Sequence, residues 1–274
     1  MPPTLDSIVA ATRQRLSQRN ATLDVRALER VAAHHTPRGF RNALNRASQT
    51  GIAVIAELKK ASPSRGLIRA DFQPTELARE LEAAGAAALS VLTDEEFFQG
   101  SLENLRAVSA ATSLPCLRKD FIIDKLQILE ARANSADAIL LIVAALTDKE
   151  LRSLAANARV VGLDVLCEAH DEGELQRALD AGCDLIGINS RNLHTFEVDI
   201  ETAFRLAKKI PDNCLAVAES GIQSGADLAR LRSAGYDAFL IGESLMKAEH
   251  PGEALARLFQ QAELEFGSKL GASS

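Results

Sequence analysis

The sequence predicts an α/β fold: a closed (β/α)8 barrel, or TIM barrel, with an N-terminal helical extension. After Gly51, eight short apolar runs alternate with amphipathic stretches at a spacing of about 20 to 35 residues, the length of a βα unit. Runs such as 138–143 (AILLIV) are apolar throughout, which is typical of parallel strands covered by helices. The sequence contains no Gly-rich dinucleotide fingerprint, which favours a closed barrel over a doubly wound open sheet.

The segments between the apolar runs carry helical signals. Residues 75–84 and 173–181 have helical periodicity, and Gly182 is placed to end the second of these helices. Similar Ala-Gly pairs precede other apolar runs and mark the return from helix to strand. We therefore predict strands at 52–58, 86–92, 115–117, 138–143, 163–167, 185–188, 215–218 and 238–241.

The first fifty residues are predicted to be helical and to precede the barrel. Apolar residues at three- and four-residue spacings predict a helix over 5–34, followed by a short helix over 40–47. These helices are too small to bury a core of their own. We therefore expect one domain of residues 1–274, with an extension (1–50), a barrel (51–262) and a C-terminal tail (263–274). The extension either covers the barrel mouth and excludes water or simply caps the barrel.

Composition excludes several functional classes. The net charge of −6 argues against a nucleic-acid partner, because such proteins usually carry a basic stripe. No uninterrupted apolar stretch approaches the roughly 20 residues of a membrane helix, so we expect a cytoplasmic protein with no membrane partner. The four cysteines are widely separated and form no metal or redox motif, which predicts buried, reduced thiols and no metal site. They are Cys116, Cys167, Cys183 and Cys214.

Polar residues follow the predicted strands at their C-terminal ends, the barrel face on which active sites are built. Any one of these charges could be a solvated loop residue or part of a structural ion pair. Two lysines, three glutamates, an asparagine and an arginine at one end of one barrel instead indicate a site. Side chains alternate along a strand, so members two residues apart point the same way. The set is Glu57, Lys59, Lys119, Glu168, Asn189, Arg191 and Glu219.

Small residues after the last two strands predict an anion site. Ser220 and Gly221 follow one strand, and Gly242 and Glu243 follow the next. Each glycine alone could simply form a turn. Together they leave room for backbone amides to approach an anion, and phosphate sites recur at this place in barrel folds. We expect a small phosphate-bearing substrate.

Seven segments of the chain resemble the indole-3-glycerol phosphate synthase family, and the resemblance runs from the N-terminal helix to about residue 259. The most specific segment is 54–66 (VIAELKKASPSRG). The turn at 218–222 (AESGI) is weak alone, because other phosphate-binding barrels have similar turns. The other segments are 90–94, 97–101, 117–124, 187–193 and 240–246.

The resemblance implies a carbon-carbon lyase of tryptophan biosynthesis that needs no metal and no cofactor. Its sugar-phosphate substrate is 1-(2-carboxyphenylamino)-1-deoxyribulose 5-phosphate, which undergoes ring closure, decarboxylation and dehydration to indole-3-glycerol phosphate. Lys119 then corresponds to the general acid of ring closure, and Glu168 to an acid or base of the dehydration. Lys59 resembles a mobile lysine that contacts substrate and shares the acid role. Glu57 resembles the partner that orients Lys119, and Asn189 and Glu219 complete the polar set.

The resemblance also implies how the substrate is held. The anthranilate carboxylate is received by Arg191, with Ser62 nearby. The phosphate is bound by Ser220, Gly221, Gly242 and the backbone amide of Glu243. The walls for the aromatic ring are formed by Phe98, Phe121 and Leu140 or Leu141.

The chain departs from the family pattern at two places. Ser190 replaces the second of two asparagines, and by alternation it points away from Asn189. Residues 124–127 read DKLQ where the family commonly has DPYQ, a change at a helix start that affects no proposed catalytic residue.

Two other readings are disfavoured. Phosphoribosylanthranilate isomerase usually relies on a Cys and Asp pair, and no cysteine here ends a strand with such a partner. A non-catalytic sugar-phosphate binder would not need the intact set of Lys59, Lys119 and Glu168. The residues do not assign which of these three groups is acid or base in each step. We expect a monomer that can associate with other enzymes of the pathway.

Overall fold

Eight parallel strands close into a barrel in a computed structural model that describes residues 3–20, 24–193 and 195–271. Around the barrel the strand order is β1-β10-β9-β8-β7-β6-β5-β4, so each strand pairs with its neighbours in sequence and the last pairs with the first. The predicted TIM barrel is confirmed. The barrel strands are β1 Ala53–Leu58, β4 Ala88–Leu92, β5 Cys116–Lys119, β6 Ala138–Ile142, β7 Asp164–Ala169, β8 Leu185–Asn189, β9 Leu215–Glu219 and β10 Ala238–Ile241.

Several strands extend further toward their C-terminal ends than the apolar runs predict. The run at 115–117 ends at Leu117, yet β5 continues because Arg118 pairs with Val91 and Lys119 with Leu92 of β4. Backbone pairing between strands thus includes the polar residues at the end of β5 as well as the apolar ones. A short antiparallel hairpin, β2 Ala61–Ser62 and β3 Gly66–Leu67, follows β1 and is absent from the prediction.

Helices separate successive strands and pack around the barrel. They are α1 Leu5–Asn20, α2 Val25–Ala32, α3 Phe40–Thr50, α4 Pro74–Ala83, α5 Glu95–Phe98, α6 Leu102–Ala111, α7 Lys125–Ala133, α8 Asp148–Val160, α9 Glu172–Asp180, α10 Glu201–Ala207, α11 Gly225–Ser233, α12 Glu243–Lys247 and α13 Pro251–Gly271, with a 3-10 turn at Val143–Ala145. Within the described ranges, no helix is both long and apolar enough to cross a membrane.

The helical boundaries differ from the prediction at both ends of the chain. The helix predicted over 5–34 is two helices, because Asp24 caps a new one by accepting a hydrogen bond from the Ala27 amide. At the other end, α13 continues to Gly271, so the stretch predicted as a tail from 263 is helical up to that residue. Helix α3 also runs three residues beyond the predicted end at 47.

Alternation along the strands divides the apolar residues into two cores. On β1, Val54, Ala56 and Leu58 face the surrounding helices, whereas Ala53 and Ile55 face the barrel interior. Leu140 faces inward and Leu141 outward, which decides between the two candidate wall residues. Because inward residues recur every second position, the polar residues that follow them at the strand ends also face the barrel axis.

The N-terminal helices contact the two ends of the barrel. Phe40 and Leu44 of α3 are fully buried in the interior core, and Leu5 and Ile8 of α1 join the same core from the side of the mouth. All four cysteines are free thiols; three are buried as predicted, whereas Cys214, in the turn before β9, is only partly buried.

Candidate active site

A cavity of about 700 Å³ opens at the C-terminal ends of the barrel strands. All fifteen residues that the sequence singles out line this cavity, although they come from widely separated parts of the chain. Leu141 and Ser190 do not line it, as alternation predicts. The volume lies within the range of about 300 to 1,000 Å³ that is usual for small-molecule sites.

Lys119 forms the centre of the polar floor. Its Nζ donates to Oε2 of Glu168 at 2.9 Å and to Oε2 of Glu219 at 2.8 Å. The three residues stand at the ends of β5, β7 and β9, and both carboxylates are almost completely buried. Alternate strands of a barrel contribute side chains to the same layer, which explains why these three meet.

Burial and charge determine the ionisation of this cluster. Burial alone would lower the pKa of Lys119, but Glu168, Glu219 and Glu57 raise it above its ordinary value. Burial opposes ionisation of Glu168 too, yet Lys119 and His170 hold its pKa well below the usual range. For Glu219, burial raises the pKa to about 8, because the repulsion from Glu168 adds to the effect of burial and Lys119 opposes it only in part. Burial and the charge of Glu168 thus favour the protonated form of Glu219, whereas Glu168 stays ionised beside the ammonium of Lys119.

Gly187 makes room for Glu219. A Cβ at this position of β8 would lie 2.1 Å from Oε1 of Glu219, well inside any permitted contact. The same oxygen is buried and has no hydrogen-bond partner within the described part of the chain. The oxygen that faces Gly187 is thus closely enclosed and accepts no hydrogen bond there, whereas Oε2 is held by Lys119.

Glu57 and Lys59 form a second ion pair beside the first cluster. Lys59 Nζ donates to Oε1 of Glu57 at 2.6 Å. The resemblance implies that Glu57 orients Lys119, but the hydrogen bonds that hold Lys119 come from Glu168 and Glu219. Glu57 at the end of β1 is instead bound to Lys59 just beyond the strand, and it acts on Lys119 through its charge. A Cβ at Gly242 would lie 2.4 Å from the same Oε1, so this glycine is needed for the position of Glu57.

One side of the cavity is apolar. The rings of Phe98 and Phe121 lie 6.2 Å apart between centroids at 41°, a tilted arrangement typical of aromatic pairs. Leu140 continues this wall from β6. The sequence did not single out the other apolar lining residues, which include Leu5, Ile8, Ile142, Leu193 and Leu240.

The turns after β9 and β10, where the sequence predicts an anion site, also line the cavity. Ser220 and Gly221, directly after β9, both have left-handed φ values of 64° and 82°. Such a value is uncommon for serine and often marks a functional position. Helix α12 begins beside this turn, and its N-cap residue Gly242 makes no side-chain capping bond to the first turn. Residues of both turns line the same cavity.

Three cations surround the side chain of Glu243 at the rim. Its carboxylate lies 3.0 Å from Arg65, 3.2 Å from Arg191 and 2.6 Å from Lys247. The sequence assigns only a backbone role to Glu243 and places Arg191 with Ser62, so this cluster is an addition. Asn189 also contributes, because its Oδ1 accepts a hydrogen bond from the Arg191 amide at 3.0 Å and fixes that turn.

His170 is a further charged neighbour that the sequence does not single out. Its Nε2 lies 3.4 Å from Oε1 of Glu168, and its Nδ1 donates to Oε2 of Glu174 at 2.9 Å. Its position two residues after Glu168 is the one signal in the sequence that could have indicated it. Among the described residues, no group of three or more His, Cys, Asp or Glu side chains could hold a metal ion.

The model of the indole-3-glycerol phosphate synthase family matches residues 5–258 of the chain. The chain belongs to this family. A curated indole-3-glycerol phosphate synthase from Koribacter versatilis (strain Ellin345) is 61% identical over 258 residues, which cover 94% of this chain and 99% of that protein. The family thus accounts for the barrel and for the N-terminal helices that contact it.

Solved structures of other barrels resemble this synthase-family chain in fold alone. A thiamine phosphate pyrophosphorylase from Pyrococcus furiosus has a TM-score of 0.59 at 17% identity, covering 77% of this chain and 96% of its own. A mandelate oxidase variant with an FMN adduct has a TM-score of 0.62 at 17% identity, covering 88% and 94%. At this identity the likeness extends to the (β/α)8 architecture and not to the chemistry.

Proposed function

We propose that this member of the indole-3-glycerol phosphate synthase family carries out its reaction at the Lys119, Glu168 and Glu219 cluster. The reaction converts 1-(2-carboxyphenylamino)-1-deoxyribulose 5-phosphate into indole-3-glycerol phosphate, carbon dioxide and water. The observation that carries the proposal is the buried ammonium of Lys119 between two carboxyl groups, in a cavity that is also lined by apolar side chains and by the turns after β9 and β10.

Ring closure is assigned to Lys119 as general acid. A new bond joins an aromatic carbon to the substrate's ketone carbon, and negative charge develops on the ketone oxygen. A positioned ammonium that donates its proton to this oxygen contributes about 10² to 10⁴ in rate. Glu168, Glu219 and Glu57 raise the pKa of Lys119, so this general acid is held in its protonated ammonium form before the reaction.

Decarboxylation follows, and it restores the aromatic ring. The carbon–carboxylate bond breaks, carbon dioxide leaves, and the electron pair returns to the ring, so this step mainly requires a fixed geometry. We assign that role to the aromatic wall and to Arg191, which receives the carboxylate. Arg191 is already oriented by Glu243 at 3.2 Å, and this pairing can hold the guanidinium ready for a second anion.

Dehydration requires an acid for the leaving hydroxyl and a base for the departing proton. Glu168 is assigned as the base because its depressed pKa leaves it ionised. The acid is Lys119 or Lys59, two of the ammonium groups that line the cavity, and near-normal turnover by K59A would leave this role to Lys119. The phosphate is assigned to the turns at Ser220, Gly221, Gly242 and Glu243, where its binding energy can orient the distant reacting carbons.

The reaction can be tested by incubating the protein with the carboxyphenylamino substrate and following indole absorbance and fluorescence. The chain has no Trp and one Tyr, so the product signal rises from a low protein background. K119A and E168Q are expected to fold normally and to lose most turnover. Absence of indole formation by the unaltered protein would refute the proposed function, and near-normal turnover by both variants would refute these roles.

The solution state and location of the protein are further parts of the proposal. We propose a monomer in the cytoplasm that can associate with other enzymes of tryptophan biosynthesis. Light scattering coupled to size-exclusion chromatography should give a mass near 29.4 kDa. A mass about twice as large at micromolar concentration would contradict the monomer.

A further inference from the structure

His170 occupies a position that the proposed mechanism does not use. It directly follows β7, and its ring lies between two carboxylates, those of Glu168 and Glu174. The side chain does not line the cavity. It therefore has no direct contact with a substrate, yet it lies beside the carboxylate that is assigned as the base.

We propose that His170 is a positioning residue whose charged imidazolium holds Glu168 ionised and correctly placed for catalysis. The two oxygens of Glu168 have different partners. Oε2 accepts from Lys119, whereas Oε1 faces Nε2 of His170 at 3.4 Å. One cation on each oxygen fixes the carboxylate along both of its edges.

Glu174 fixes the orientation of the imidazole. Its Oε2 accepts from the backbone amide of His170 at 2.8 Å and from the ring Nδ1 at 2.9 Å. Glu174 is itself held in the first turn of α9, whose N-cap Asp171 accepts a hydrogen bond from the Glu174 amide. The ring thus has one orientation, and in it Nε2 points toward Glu168.

The Nε2 group is buried and has no well-aligned hydrogen bond within the described residues. A buried donor without a partner is costly, so a shorter contact with Glu168 is favoured whenever the site allows it. Catalytic hydrogen bonds are often long in an empty site and tighten when the substrate is bound. The 3.4 Å distance therefore fits a contact that closes during the reaction.

The surrounding charges keep His170 protonated. Burial lowers its pKa, but Glu168 and Glu174 together raise it to about 10. Glu168 is in turn bound to Lys119, which also binds Glu219. Because a histidine with a raised pKa is charged below that value, His170 carries its proton throughout the neutral range. Loss of this charge is expected to raise the pKa of Glu168, because an adjacent opposite charge favours the ionised carboxylate.

The experiment compares H170Q with H35Q. His35 is a matched control, because its side chain is also 14% exposed and also contacts a buried carboxylate, Asp137 at 3.2 Å, at the other end of the barrel. For H170Q we expect kcat to fall about tenfold to hundredfold, as for misplacement of a reacting group by about 1 Å, with little change in KM. The acid limb of its pH profile should move to higher pH. H35Q should change thermal stability and leave both kcat and the acid limb of the pH profile unchanged.

A kcat and pH profile for H170Q that match those of H35Q would overturn the inference. If H170Q does not fold, E174Q serves in its place, since it retains the imidazole and an oxygen acceptor while weakening the hold on the proton. E174Q should show a smaller shift of the acid limb in the same direction, and an unchanged limb would overturn the inference.

The inference rests on the proposed role of Glu168, and an NMR titration separates the two. The NMR signals of the His170 ring nitrogens can be assigned because they are absent from H170Q. In the unaltered protein, these signals should be those of an imidazolium at neutral pH. A neutral ring would refute the inference whatever the enzyme's activity. A charged ring in a protein that forms no indole would refute the proposed function and leave the charge of His170 established.

Discussion

Replacement of Gly187 by alanine would disturb the Lys119, Glu168 and Glu219 cluster with one added methyl group. In G187A the new Cβ would meet Oε1 of Glu219 at 2.1 Å, and Leu166 blocks another direction at 3.2 Å. The Glu219 carboxyl group must therefore move by about 1 Å away from residue 187, which changes its position relative to Lys119. A misplacement of about 1 Å can cost about 10² in rate, and overpacking of a rigid core costs about 1 to 3 kcal/mol of stability.

The assay for G187A measures kcat for indole formation together with the free energy of unfolding in urea. A matched control is G51A, because nothing lies within 4 Å of a Cβ at that position. We expect a loss of about 10² in kcat for G187A and near-normal turnover for G51A. Similar kcat values for G187A and the unaltered protein would refute the reasoning that the position of Glu219 controls Lys119.

Two further predictions concern the pH dependence of the site and the attachment of α1. Burial raises the pKa of Glu219 to about 8. As pH rises through that value, a second negative charge faces Lys119, so kcat should decline. E219Q should lack this decline. Folding favours the protonated form of Glu219, so the contribution of Glu219 to the free energy of unfolding is present at low pH and is lost as pH rises through about 8. Urea unfolding of E219Q and of the unaltered protein over this pH range would show the difference. Arg15 binds buried Asp94 at 2.7 Å, so R15Q should increase hydrogen exchange in α1 and raise KM. R13Q is its control, since the Arg13–Glu150 pair is exposed and long at 3.4 Å, and equal effects of the two variants would contradict a specific role for Arg15.

Strand periodicity made most of the site predictable. An apolar residue that faces inward fixes the direction of every second residue after it, which is how Glu57, Lys119 and Glu168 could be directed to the cavity from sequence. The carboxyl ends of parallel strands meet at one end of a barrel, so residues far apart in the chain could be expected together.

Partner choice within the site could not be predicted. Lys119 is held by Glu168 and Glu219 from two other strands, and that choice depends on distances across the barrel which no local pattern encodes. The contribution of His170 depends on Glu174 as well, a residue placed by the start of a helix. Leu5 and Ile8 line the mouth because of how α1 packs, and periodicity alone cannot show which element an apolar face covers.

The helix boundaries and the short hairpin are further features that periodicity did not predict. Asp24 was available as a capping residue, but the apolar spacing continued past it and favoured one long helix. The hairpin of β2 and β3 is only two residues long on each side, too short for alternation to indicate it. Local capping and short-range pairing decide such features, and periodicity does not.

A structure with bound indole-3-glycerol phosphate would test the central claim most directly. The account predicts the phosphate on the amides near Gly221 and Glu243, the indole ring against Phe98 and Phe121, and Lys119 within hydrogen-bonding distance of the product. Product bound elsewhere in the barrel, or Lys119 and Glu168 on opposite sides of the cavity with the product touching neither, would contradict it.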